Sequence, residues 1–184
     1  MRLFKLFLIG CLVLIPALGF ADSNYYLGAS GVPSVSSGSI GQSTGTAAAT
    51  SGSGRLYHSK DVPLSPGPVQ YAHVYLDNPN NSTVHMYLFS ANGTQRAYCS
   101  IAIEGTTAGW YTCQSAAPYT IVDATTYYYG IGRTVADFSY GRTASGFTGL
   151  WYDTNTIDND VTLNPEETVS DSDGNLSVRW DNIP

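Results

Sequence analysis

Two short runs of this chain set tyrosine and histidine side chains at the spacing of a strand face. In residues 69–77, Tyr71, His73 and Tyr75 alternate with Ala72, Val74 and Leu76. In residues 84–89, His85, Tyr87 and Phe89 alternate with Val84, Met86 and Leu88. Side chains two apart share one face of a strand, so each run has an aliphatic face for a core and an aromatic face. Aromatic rings stack on the apolar C–H faces of sugar rings, and His and Tyr supply the polar contacts that orient them. Tyr71, His73, Tyr75, His85 and Tyr87 are therefore candidate ligand-binding residues, joined by Trp110 and Trp151 at strand ends. The competing expectation is that this aromatic face packs against a second sheet.

A second candidate chemistry is oxygen ligation of calcium. Asp171-Ser172-Asp173-Gly174-Asn175 spaces two acids and a glycine as part of such a loop does, and Asp158 and Asp160 offer further oxygens. The run lacks the third ligand before the glycine and the glutamate beyond it, so a solvated acidic turn competes with calcium. Enzyme signatures are mostly absent. His58, His73 and His85 are the three histidines, and none has a metalloprotease spacing. No G-x-S-x-G elbow marks a serine nucleophile. Glu104 and Asp153 are acids near strand ends, a carboxylate pair that glycoside hydrolysis would need, and solvated loop acids explain them as well. The chain is expected not to be an enzyme.

The elements that must position these residues read as strands. The connection 77–82, Asp-Asn-Pro-Asn-Asn-Ser, is turn-forming and predicts a hairpin between the two aromatic runs. A register pairing Val74 with Met86 sets Tyr75 opposite His85, His73 opposite Tyr87 and Tyr71 opposite Phe89. A second hairpin is predicted from 97–104 and 110–113, folded about Thr106, with Ile101 facing Tyr111 and Cys99 facing Cys113. A disulfide there closes a loop of about 15 residues, worth on the order of 3 kcal/mol in the chain-entropy model. Later runs at 119–122, 126–133, 138–142 and 149–152 continue the series of short strands between Gly-rich turns, and no fixed-period repeat is visible. The tail ends in a strand-like 176–180 whose Trp180 is expected to anchor it. It also carries eight of the fourteen acids between Asp153 and Asp181.

The termini and composition give the compartment. Arg2 and Lys5, an apolar run over 6–18 and the small residues Gly19 and Ala21 make residues 1–21 a secretory signal. Leu8-Ile9-Gly10-Cys11 resembles a bacterial lipobox, but the apolar run continues past Cys11, which favours cleavage after Ala21. Secretion is expected, with a periplasmic or lipid-anchored form as the alternative. Removing Arg2 and Lys5 from the eight basic residues leaves six against fourteen acids, a mature net charge of −8. That balance argues against nucleic acid and anionic membranes as partners, and no transmembrane segment is expected in the mature chain. Residues 22–54 have the Gly/Ser-rich composition of a flexible arm, leaving 55–184 as one all-β domain with an acidic C-terminal segment. Four sequons begin at Asn80, Asn81, Asn92 and Asn175.

The strand 84–90, the turn at Gly109-Trp110-Tyr111 and the run Ala124-Thr125-Thr126-Tyr127-Tyr128-Tyr129-Gly130-Ile131 resemble jelly-roll domains of secreted, phage-tail and carbohydrate-binding proteins. The resemblance spans about 56–152 and rests on structural motifs. It implies an antiparallel, jelly-roll-like β-sandwich and carries over no binding residue. The function expected is a secreted, non-catalytic binding module for carbohydrate or a cell-surface ligand. The alternative is an assembly protein, such as an adhesin, appendage or tail-like subunit, acting by self-association.

Overall fold

The computed structural model describes residues 37–42, 47–51, 55–133, 138–142, 149–153, 157–171 and 175–184. These contain twelve strands and no helix: β1 (Ser39–Gly41), β2 (Ala47–Ser51), β3 (Arg55–Asp61), β4 (Gly67–Asn78), β5 (Thr83–Ser90), β6 (Gln95–Ala102), β7 (Gly109–Ile121), β8 (Tyr127–Gly132), β9 (Phe138–Arg142), β10 (Gly149–Asp153), β11 (Val169–Asp171) and β12 (Val178–Asp181). Period-two alternation over most of this length, with few helix-favouring runs, leaves the backbone no other way to pair its amides.

Two six-stranded antiparallel sheets result. The first runs β1-β12-β4-β9-β2, with β7 on the other flank of β4; the second runs β11-β10-β3-β8-β5-β6. Aliphatic side chains from both fill one core, including Val69, Ala72, Val74 and Leu76 from β4 and Val84, Met86 and Leu88 from β5. Trp180 crosses it: fully buried on β12, its indole N–H donates to the Tyr87 carbonyl of the other sheet at 3.1 Å. The anchoring expected of Trp180 is thus a hydrogen bond between sheets.

Neither predicted hairpin forms. β4 lies in the first sheet and β5 in the second, so 79–82 is a crossing between layers and Val74 pairs with Val178 and Tyr111 instead of Met86. Likewise β6 and β7 lie in different sheets. The hairpin that does form joins β5 to β6, with Val84 opposite Ile101 and Met86 opposite Cys99. The misreading has a simple cause: two adjacent strands with aliphatic faces bury those faces equally well side by side or across a core, and sequence proximity favours the first. The Cys99–Cys113 disulfide is present, its Cα atoms 5.8 Å apart, but it staples one sheet to the other.

Part of the stretch read as a flexible arm is built into the first sheet. β1 pairs with β12, and Ile40 is fully buried against the core; β2 pairs with β9. A single large aliphatic residue and a free sheet edge suffice to dock a chain whose composition is otherwise that of a linker. The expected secretory signal, Cys11 and residues 22–36 lie outside the described residues.

Candidate functional site

The outer face of the first sheet is assembled by three neighbouring strands. Register places Thr112 of β7, His73 of β4 and Arg179 of β12 in one row across the sheet. Tyr75 stands opposite Trp110, and Tyr71 opposite Asp181. Because Ala72, Val74, Val178 and Trp180 point inward, alternation turns His73, Arg179 and Asp181 outward.

His73 is the hub. Its Nε2 faces two acceptors, Asp181 Oδ1 and the Ile183 carbonyl, each at 3.1 Å, so Nε2 is the donor to both. Nδ1 shares a hydrogen bond with the Thr112 hydroxyl at 2.8 Å. Asp181 also receives the Ile183 backbone N–H at 2.8 Å, and its Oδ2 lies 2.9 Å from Arg179 Nε. That N–H is not aimed at the oxygen, so charge rather than a directed hydrogen bond holds the pair. The Asp181 side chain is only 6% exposed, and this ring of donors is what keeps a nearly buried carboxylate tolerable.

These groups border a surface cavity of about 250 Å³ lined by His73, Trp110, Arg179, Asp181 and Ile183. Trp110 is 44% exposed and is flanked by Tyr75 on the neighbouring strand, the two rings in an edge-to-face arrangement 5.7 Å apart between centroids. An exposed indole beside fixed donors and acceptors suits a ligand with an apolar ring face and polar edges.

The other expected site residues are distributed elsewhere. His85 and Tyr87 project from the second sheet, on its outer face, and do not join His73. Tyr87 is fully buried there, with Phe89 and Leu56, beneath Ile157, Val161 and Leu163. Its hydroxyl donates to the Asp158 carbonyl at 2.6 Å. Burial pushes its ionisation well above the ordinary tyrosine range, and neighbouring Tyr98 and Asp158 push it further. The overlying segment is clamped by Gln95, which donates to the Asn159 carbonyl at 2.9 Å and accepts from Val161 N–H at 3.3 Å. At Gly93, which has a positive φ of 81°, Leu163 N–H donates to the carbonyl at 3.1 Å, and any β-carbon would strike the Leu163 carbonyl. His85 keeps a 2.8 Å contact from Nδ1 to the Tyr98 hydroxyl; desolvation lowers its pKa, partly opposed by Asp158. A single aromatic platform across the two runs is therefore corrected: the strands face opposite sides of the molecule.

Tyr71 is half-buried beside Asp181 on the first sheet but outside the cavity. The backbone of Trp151 pairs with Tyr57 in the second sheet, away from Trp110. Of the calcium candidates, Asp158 uses Oδ1 to cap the Asp160 N–H at 2.9 Å, Asn175 is buried, Asp171 lies on β11, and Asp173 falls outside the described residues. Among the described residues no three acidic, His or Cys side chains converge as a metal site would require. A second cavity, about 510 Å³, is lined by Lys60, Asp61, Val62, Ala91, Thr126 and Tyr128 and contains none of the expected residues.

Sequence reasoning missed Thr112, Arg179, Asp181 and Ile183. The signal for two of them was present: if Trp180 anchors the last strand inward, Arg179 and Asp181 must point outward. What it lacked was the pairing of β12 with β4. A scan against protein-family models and a search of curated proteins both return no match.

Proposed function

We propose that this protein is a secreted binding module for carbohydrate, with its ligand seated on the outer face of the first sheet against Trp110. The observation that carries this is the half-exposed indole beside His73, Asp181 and Arg179, which are held to one another by a hydrogen bond and an ion pair. Pre-set polar groups around an aromatic surface lower the ordering cost of binding a small polar ring. The disulfide supports an oxidising compartment. Strand order supports the jelly-roll reading: β1, β12, β4 and β7 neighbour one another in one sheet and β3, β8, β5 and β6 in the other, so the chain passes between sheets at β3–β4, β4–β5, β6–β7 and β7–β8.

A glycan array is the test. Selective hits with wild-type protein, lost with Trp110→Ala and retained with Tyr98→Ala on the opposite face, are expected; hits unchanged by Trp110→Ala would move the site elsewhere. Thr112, His73 and Asp181 also stand in the hydroxyl–imidazole–carboxylate order of nucleophilic relays. Turnover of a bound glycan by wild type but not by Thr112→Ala would replace binding with catalysis.

One observation favours the assembly reading. Val62, Leu64 and Val122 are 47%, 69% and 51% exposed, and they sit on connections that run side by side, because Asp61 pairs with Tyr127 and Gly67 with Ile121. An apolar end of this kind is a contact surface for copies of the chain. Sedimentation would then give a concentration-dependent mass that Leu64→Asp abolishes; a monomer at all concentrations removes this reading.

A further inference from the structure

The groups around the cavity also select what kind of sugar it takes. Arg179 is ion-paired to Asp181, its Nε 2.9 Å from Oδ2, while its side chain stays 32% exposed at the cavity wall. Among the described residues no hydrogen bond reaches its two terminal amino groups. The guanidinium is thus oriented from behind by a nearly buried carboxylate, which is itself fixed by His73 and Ile183. Its outer edge remains open. That edge presents paired N–H donors in the planar fork that matches a carboxylate, a geometry no ammonium group offers.

Trp110 lines the same cavity, so a ring stacked on the indole would share that cavity with the guanidinium. The chain as a whole is acidic, with a formal charge of −6, and repels polyanions. A sulfated or polyphosphate ligand is disfavoured by that field, whereas one carboxylate met by one oriented arginine is not. We propose that the ligand is a sugar bearing a single carboxylate, a uronic or sialic acid, read by Arg179 while Trp110 holds the ring. This rests on the binding-module reading given above and narrows it.

The test is a chemical-shift titration of the full-length protein with glucuronate, glucuronamide, glucose, N-acetylneuraminate and benzoate. Glucuronate or N-acetylneuraminate is expected to bind about ten-fold more tightly than glucuronamide or glucose, since a charged acceptor roughly doubles the strength of an arginine hydrogen bond. Arg179→Gln should erase that difference while leaving weak sugar binding, and Arg179→Lys should restore only part of it. If Arg179→Gln does not fold, the comparison of glucuronate with its isosteric amide decides the matter in wild type. Equal affinity for acid and amide overturns the carboxylate assignment and leaves the carbohydrate reading standing. Binding of benzoate with no response to any sugar overturns the sugar assignment. No response to any sugar, here or on the array, overturns both.

Discussion

The outer faces of the two sheets begin from nearly the same sequence pattern and end in opposite conditions. On β4, Tyr71, His73 and Tyr75 remain partly exposed, and His73 with Trp110 borders an open cavity. On β5, Tyr87 and Phe89 lie under Ile157, Val161 and Leu163 and have become a second core. The difference is a cover. Among the described residues, one face meets only the short C-terminal run after Asp181, whereas the other is crossed by a segment with an aliphatic residue at 157, 161 and 163. An aromatic strand face becomes a binding surface or a packing surface according to what a distant part of the chain lays over it.

That contrast can be broken most directly at its two aromatic centres. Tyr87→Ala is expected to cost about 3–5 kcal/mol, from the lost burial and the cavity left under the covering segment. Trp110→Ala should stay within about 1 kcal/mol in the same urea titrations, because a half-exposed ring leaves no cavity. Similar losses for both would mean the first face is as structural as the second.

Removing the inter-sheet staple comes next. Cys99→Ser with Cys113→Ser should lower stability by about 3 kcal/mol, and reduced wild-type protein should match it. An unchanged midpoint would show that the core alone holds the sheets together.

The smallest effect sharpens the covered side. His58 of β3 is fully buried, meets Tyr128 edge-on at 5.3 Å, and has no hydrogen-bond partner for either ring nitrogen among the described residues. Desolvation lowers its pKa to about 3, so below pH 6.5 the unfolded chain takes up a proton that the native state refuses. Stability is therefore lost as pH falls from about 6.5 toward 3, by at most ~1.4 kcal/mol per pH unit from this residue. His58→Leu should flatten that slope in thermal melts between pH 7.5 and 4.5. An identical slope in the variant would show that His58 finds a protonatable contact.

Much of the fold was legible because alternation is local. Ala72, Val74 and Leu76 on one side and Tyr71, His73 and Tyr75 on the other follow from backbone geometry alone, as does the inward Trp180 with its outward neighbours. The cysteine pairing was legible too, since only Cys99 and Cys113 lie beyond residue 21. Ile40 was not read as core, because one aliphatic residue in a Gly/Ser-rich stretch carries no periodic signal.

Strand partners were decided only in three dimensions. A strand edge offers the same amide ladder to any partner, so nothing in residues 69–89 distinguishes a hairpin from a crossing between sheets. The choice is made by how the whole set of aliphatic faces closes around Trp180 and by the Cys99–Cys113 link across the core. From that closure come the meeting of Thr112, His73, Arg179 and Asp181, and the cover over Tyr87. The sequence determined which side chains share a strand face; burial of distant surfaces against one another decided which of those faces stayed open.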